Sequence, residues 1–119
     1  MDFTLETAIS ELRKSVPACP IDAEWEQERN SYLAFGDFAR FICSEAEILQ
    51  YVTSDEEVRR LSKVPICMDF LECALEQSDS AGRDLILDCI ETLSASQWGQ
   101  QIKKWAGPRV LAAWDNTQH

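Results

Sequence analysis

Apolar side chains recur every three or four residues along almost the entire chain, which is the period of an α-helix. No segment alternates apolar and polar residues over the length of a strand. The 119 residues include only four glycines and four prolines, fewer turn-forming residues than sandwiches and barrels require. The pattern predicts an all-α protein with a single helical domain over residues 1–119.

Helix signals and breakers predict five to seven short helices, packed as a stack of antiparallel helical hairpins or as a bundle. Gly36 and Asp37 are the expected start of the second helix, Ser54 is an expected N-cap, and Pro65 is expected to kink or break its helix. A short helical turn is expected between the first two helices. The expected helices cover about 3–15, 36–51, 54–64, 66–77, 81–94, 98–105 and the segment from 108 onwards. The expected core includes Leu12, Phe38, Ile42, Leu71, Leu75, Ile86, Ile90 and Trp105.

The chain is strongly acidic, and the acids are unevenly distributed. It has 21 acidic and 11 basic residues, for a net charge of −10. Residues 22–57 hold ten acids and two bases, and residues 69–91 hold seven acids and one base. Such a charge repels nucleic acid and anionic membranes and attracts a basic partner. Solubility alone is the alternative explanation.

Two runs of acids have helical spacing, so each run lies on one face of its helix, opposite the apolar stripe. The first run belongs to the helix expected over 66–77 and the second to the helix expected over 81–94. The alternative is that each run is the solvated face of an amphipathic helix. The candidate partner-binding residues are the six acids Asp69, Glu72, Glu76, Asp84, Asp88 and Glu91.

Residues 58–68 form a basic segment with three bases and no acid. Arg59 and Lys63 follow Asp55 and Glu56 by about one helical turn, so ion pairs within the helix are expected. A short RNA-binding patch is the alternative, which the overall charge disfavours.

The sequence has only one histidine, which argues against a cysteine nucleophile, a zinc site and a di-metal site. Its five cysteines are odd in number, have no CxxC spacing and mostly stand among apolar residues, which predicts buried thiols rather than disulfides or zinc ligands. A cysteine nucleophile needs a histidine or another basic neighbour, and di-metal helical bundles need histidine ligands. The single histidine, His119, is the last residue, where chains usually fray. We therefore expect no enzyme activity, no metal site and no cofactor.

Neither a membrane-spanning apolar run nor a signal-peptide pattern is present in the sequence. We therefore expect a cytoplasmic protein without a membrane partner, and a monomer is the favoured state.

Two tryptophans stand on either side of the Gly107-Pro108 pair. Glycine suits the end of one helix and proline the first position of the next, so the chain is expected to turn there. Trp105 and Trp114 are then expected to close the end of the helical stack. The alternative is that one of them is an exposed binding anchor.

Three segments in order, YLAFGDFARFICSEAE, FLECALEQSD and GPRVLAAWD, resemble a family of small acidic all-helical bacterial proteins. These are immunity proteins of polymorphic and contact-dependent growth-inhibition toxin systems. The resemblance covers about residues 32–115 and is most specific in Gly-Asp-Phe-Ala-Arg at 36–40, Phe-Leu-Glu at 70–72 and the closing Gly-Pro and Trp-Asp pairs. The interruption at Pro65 departs from the smooth helix that the resemblance implies.

The resemblance implies a protein that binds one cognate toxin domain and masks its active or substrate-binding surface without chemistry of its own. Many such toxins are nucleases with basic surfaces, which an acidic partner would reach quickly. Two other functions remain open: a helical adaptor or scaffold, and an acidic mimic of nucleic acid. A mimic would bind several unrelated DNA-binding proteins, whereas an immunity protein would bind one.

Overall fold

The periodic segments form eight α-helices and one 3₁₀ turn in a computed structural model, which describes residues 2–117. No strand occurs in this range, although Phe3 and Ser78 form an isolated parallel bridge. The predicted all-α fold is confirmed. The helices are α1 (Ala8–Ser15), α2 (Ala23–Gln27), α3 (Ser31–Ala46), α4 (Asp55–Leu61), α5 (Val64–Gln77), α6 (Ser80–Ala95), α7 (Gly99–Lys103) and α8 (Pro108–Thr117), with the 3₁₀ turn at Glu47–Gln50.

There is one helix more than the upper number expected, because the short turn predicted before the second helix is a complete helix, α2. Asp22 caps it by accepting a hydrogen bond from the Glu24 amide at 2.9 Å. The expectation for His119 lies outside the described residues.

The first helix begins later than predicted. Thr4 and Thr7 close a turn before it, since the Thr4 amide donates to Thr7 Oγ1 at 2.9 Å and the Thr7 amide donates to Thr4 Oγ1 at 3.2 Å. Hydroxyl groups that bond nearby amides compete with the helix in this way. Phe3 precedes this turn and forms the bridge to Ser78, where its amide donates to the Gln77 carbonyl at 3.2 Å.

The start predicted for α3 at Gly36 and Asp37 is wrong, since the helix begins at Ser31. Asn30 is the N-cap and accepts a hydrogen bond from the Leu33 amide at 3.1 Å. Asp37 lies in the helix interior, where it pairs with Arg40.

Pro65 breaks the helix, and this prediction is confirmed. α4 ends at Leu61 and α5 begins at Val64, which places Pro65 in the first turn, where its missing amide hydrogen has no helical partner to lose. Glu45 of α3 holds the break in place: its carbonyl accepts from Ser62 Oγ at 3.1 Å, and its carboxylate accepts from the Lys63 amide at 2.8 Å.

The core lies between α3, α5 and α6, with α1 and α8 packed against it. Phe3, Phe35, Phe38 and Phe70 form an aromatic cluster with ring centroids 5.7–6.3 Å apart. Seven of the eight predicted core residues are buried, namely Leu12, Phe38, Ile42, Leu71, Leu75, Ile86 and Ile90. The prediction that Trp105 is buried is wrong, because this side chain is only half-buried.

Candidate functional site

The outward face of α6 carries three carboxylates without a counter-ion. Asp84, Asp88 and Glu91 are exposed, and the apolar residues between them point into the core. Within residues 2–117, none of the three carboxylates forms an ion pair with lysine or arginine. This face therefore has uncompensated negative charge, as the spacing of the acids predicts.

The three acids predicted on α5 have different surroundings. Asp69 is exposed, and its carboxylate also has no ion-pair partner in the described part of the chain. Glu76 is half exposed and lies 3.9 Å from the Arg109 guanidinium. The Glu72 side chain is only 18% exposed and turns towards α8.

Glu72 caps the N-terminus of α8. Its carboxylate accepts hydrogen bonds from the Arg109 amide at 3.0 and 3.1 Å and from the Val110 amide at 3.0 Å, and it pairs with the Arg109 guanidinium at 3.3 Å. These amides have no partner within the helix, and the positive end of the helix dipole favours a carboxylate there. Gly107 makes the approach possible, because a Cβ at this position would lie 2.6 Å from Glu72 Oε1.

Two of the three segments on which the family resemblance is most specific therefore meet in space. Phe-Leu-Glu at 70–72 supplies the carboxylate, which binds the amides of Arg109 and Val110 directly after the Gly-Pro pair. The helical spacing of the acids does not predict this role for Glu72. A signal was present, because glycine precedes α8 where a side chain that caps the helix would stand.

α8 contacts both of the helices that carry the acidic runs. It packs against both α5 and α6, and it contacts α6 through a hydrogen bond from Thr117 Oγ1 to Ser94 Oγ at 3.1 Å. Its N-terminus is held by Glu72 of α5. Of the other predicted residues, Asp69 and Glu76 are exposed on α5, and Asp84, Asp88 and Glu91 are exposed on α6. Glu72 is largely occupied by α8 itself.

Arg59 of the basic segment contacts Trp105 rather than the acids that precede it in α4. The Arg59 guanidinium lies 5.1 Å and the Lys104 ammonium 5.8 Å from the Trp105 ring centroid. Asp55 pairs with Lys104 at 3.1 Å, so the predicted pairing of Asp55 with Arg59 is wrong. α8 begins at Pro108, after Gly107, and the other tryptophan, Trp114, lies in the core with 1% of its surface exposed.

All five cysteines are free thiols. Burial raises the pKa of Cys19 to about 11, and the nearby negative charge of Asp37 raises it further. Burial likewise raises the pKa of Cys89 to about 12, with a smaller contribution in the same direction from the charge of Asp88. Burial also raises the pKa of Cys67. Cys43 is half-buried and Cys73 is exposed, so the prediction of buried thiols is wrong for Cys73.

Residues 2–117 contain no group of three or more histidine, cysteine, aspartate or glutamate side chains that could hold a metal ion. None of the described helices is long and apolar enough to cross a membrane. No protein-family model matches this chain, and no curated protein or solved structure matches it.

Proposed function

We propose that this chain is an immunity protein: it binds a basic toxin domain, such as a nuclease domain, and covers its active or substrate-binding surface. The observation that carries the proposal is the set of exposed carboxylates without counter-ions on α6 and at Asp69 of α5. The protein has no chemistry of its own in this role and acts in the cytoplasm of the cell that makes the toxin.

Electrostatics supports this function in a specific way. Like charges along one helix face repel each other and destabilise the helix. A basic partner bound to this face would remove that repulsion. A basic substrate-binding surface is attracted over distances of about a Debye length, roughly 8 Å at physiological ionic strength. Such attraction raises association rates by about 10- to 1000-fold, and fast association suits a protein that must reach a toxin before the toxin acts.

The first experiment identifies the partner. The protein should co-purify with the product of the large gene immediately upstream of its own gene, at a fixed stoichiometry. Co-purification with several unrelated DNA-binding proteins would contradict the proposal, because it is the behaviour of a nucleic-acid mimic. A chain that binds no product of the neighbouring genes would contradict it as well.

The second experiment tests the surface. The double reversal Asp84→Lys with Asp88→Lys should slow association about tenfold at low salt and much less at high salt, because the lost attraction is screened. The free energy of unfolding should change by no more than about 0.5 kcal/mol, since both side chains are exposed. Glu72 is unsuitable for reversal, because a lysine there would repel the amides and the arginine of α8.

The matched control reverses two exposed acids of the other acidic segment, Glu28→Lys with Glu47→Lys, which changes the net charge by the same amount. If long-range charge alone mattered, both double variants would slow association equally. A slower rate only for the α6 variant places the contact at α6. A slower rate only for the control would move the binding surface to residues 22–57 and refute the assignment to α6.

A further inference from the structure

The groove between α1 and α5 exposes apolar surface beside a free carboxylate. Its volume is about 440 Å³, and Phe70 forms its floor with 4% of the residue exposed. We call this the α1–α5 groove. Its lining residues are Glu11, Ser15, Ile66, Asp69, Phe70 and Cys73.

The apolar strip of the groove runs along one side of α5. Ile66, Phe70 and Cys73 are spaced by four and three residues, so their side chains are neighbours on the helix surface. Ile66 is 44% exposed, and Cys73 is an exposed thiol. Water therefore contacts a strip of aliphatic, aromatic and sulfur surface that no described segment of the chain covers.

The charge at the groove selects what can cover this strip. Asp69 stands between Ile66 and Cys73 on the helix and has no ion-pair partner among residues 2–117. The other rim carboxylate, Glu11, is already 3.6 Å from the Lys14 ammonium and is only 18% exposed. Asp69 is therefore the charge that is open to a partner.

Three kinds of occupant fit poorly. A purely apolar group would remove water from the Asp69 carboxylate without replacing it by a positive charge, which is costly. An anionic group would be repelled by Asp69. A small hydrated cation would leave Ile66 in water.

We propose that the α1–α5 groove binds a segment of the toxin domain in which an apolar side chain stands next to a lysine or arginine. The apolar side chain covers Ile66 and the edge of Phe70, and the cation pairs with Asp69. The inference rests on the proposed function for the identity of the partner. The chemistry of the groove is testable without that partner.

The groove is tested first with a small probe. Amide resonances of the full chain are followed during titration with 4-phenylbutylammonium, which joins an aromatic ring to a cation, and with 4-phenylbutanoate, its anionic counterpart. The ammonium probe should give saturable shifts centred on 11–15 and 66–73, and the anion should give none there. The Asp69→Asn variant should bind the ammonium probe about two- to fivefold more weakly, the size expected of an exposed ion pair. The matched Asp84→Asn variant, with the same charge change on α6, should bind it as the wild type does.

Equal shifts with the two probes, shifts centred elsewhere, or equal effects of the two asparagine variants would overturn the proposal. These outcomes concern only the groove, so they leave the proposed function standing. Conversely, failure to find a toxin partner would refute the proposed function without altering the probe titration.

With the purified toxin domain, Ile66→Ser should raise the dissociation rate about fivefold or more, because a buried apolar contact acts mainly on dissociation. Leu61→Ser is the matched control, since Leu61 on α4 is 46% exposed and lies outside the groove. Complex formation should also slow alkylation of Cys73. Equal dissociation rates for the two serine variants, or unchanged alkylation of Cys73 in the complex, would show that the toxin does not occupy the groove.

Discussion

Replacing Glu72 with alanine should destabilise the protein by about 2 kcal/mol, because this side chain caps α8 from a distant helix. Loss of a side chain that caps a helix costs about 0.5–2 kcal/mol, and loss of a carboxylate at the positive end of the helix dipole costs about 0.3–1 kcal/mol. The Arg109 side chain in the ion pair is 51% exposed, so the pair adds at most about 0.5 kcal/mol after screening by solvent. Glu72→Gln, which keeps one acceptor oxygen but no charge, should cost about half as much.

The assay is equilibrium urea unfolding, followed by tryptophan fluorescence and by far-UV circular dichroism. Glu76→Ala is the control: it removes a carboxylate one turn away, whose distance from the Arg109 guanidinium is 3.9 Å. The control should change stability by no more than about 0.5 kcal/mol.

A double-mutant cycle with Gly107→Ala tests the geometry directly. The new Cβ would lie 2.6 Å from Glu72 Oε1, so Gly107→Ala should be destabilising when Glu72 is present. In the Glu72→Ala background the same substitution should cost much less, because the group it displaces is gone. Additive effects of the two substitutions, or equal stabilities of the Glu72→Ala and Glu76→Ala variants, would refute this account of the cap.

Three further predictions concern the backbone and the thiols. Arg29→Gly should stabilise the protein by about 1 kcal/mol in urea unfolding, because Arg29 has φ 54° after α2, a conformation that favours glycine; a loss of stability would contradict this. Native alkylation followed by mass spectrometry should modify Cys73 first, whereas fast modification of Cys19 or Cys89 would contradict their burial. Stability should fall as pH rises from 9 towards 11–12, because the unfolded thiols lose protons near their ordinary pKa of 9.0 while Cys19 and Cys89 keep them up to a pKa of about 11 and about 12. In this window each buried thiol lowers the free energy of unfolding by up to about 1.4 kcal/mol per pH unit. The free energy of unfolding should therefore fall less steeply with pH in Cys89→Ala than in the wild type. Equal slopes in the two proteins would contradict the raised pKa of Cys89.

Much of the helical architecture could be predicted from the sequence because it depends on local interactions. Apolar spacing places residues such as Ile42 and Ile86 on the inner faces of their helices. Ser54 caps α4 by accepting a hydrogen bond from the Glu57 amide at 3.1 Å, within a few residues of chain. Pro65 is accommodated in the first turn of α5 because its ring nitrogen has no amide hydrogen to donate within a helix.

The candidate site could be predicted only in part. Helical spacing correctly places Asp84, Asp88 and Glu91 on one exposed face, because residues three and four apart share a helix face. The same rule treats Glu72 as equivalent to Asp69, although one binds α8 and the other is exposed. The spacing of residues describes one helix by itself and does not say which other helices pack beside it.

Neighbouring residues along the chain are enough to indicate the long helices, the interruption at Pro65 and the apolar side of each long helix. They do not indicate that Glu72 meets an amide 37 residues away, that α8 packs on both α5 and α6, or that Ile66 lines a groove beside α1. Contacts of this kind depend on how whole helices dock, and docking is set by the summed shape and burial of many side chains. No single short stretch of sequence carries that information.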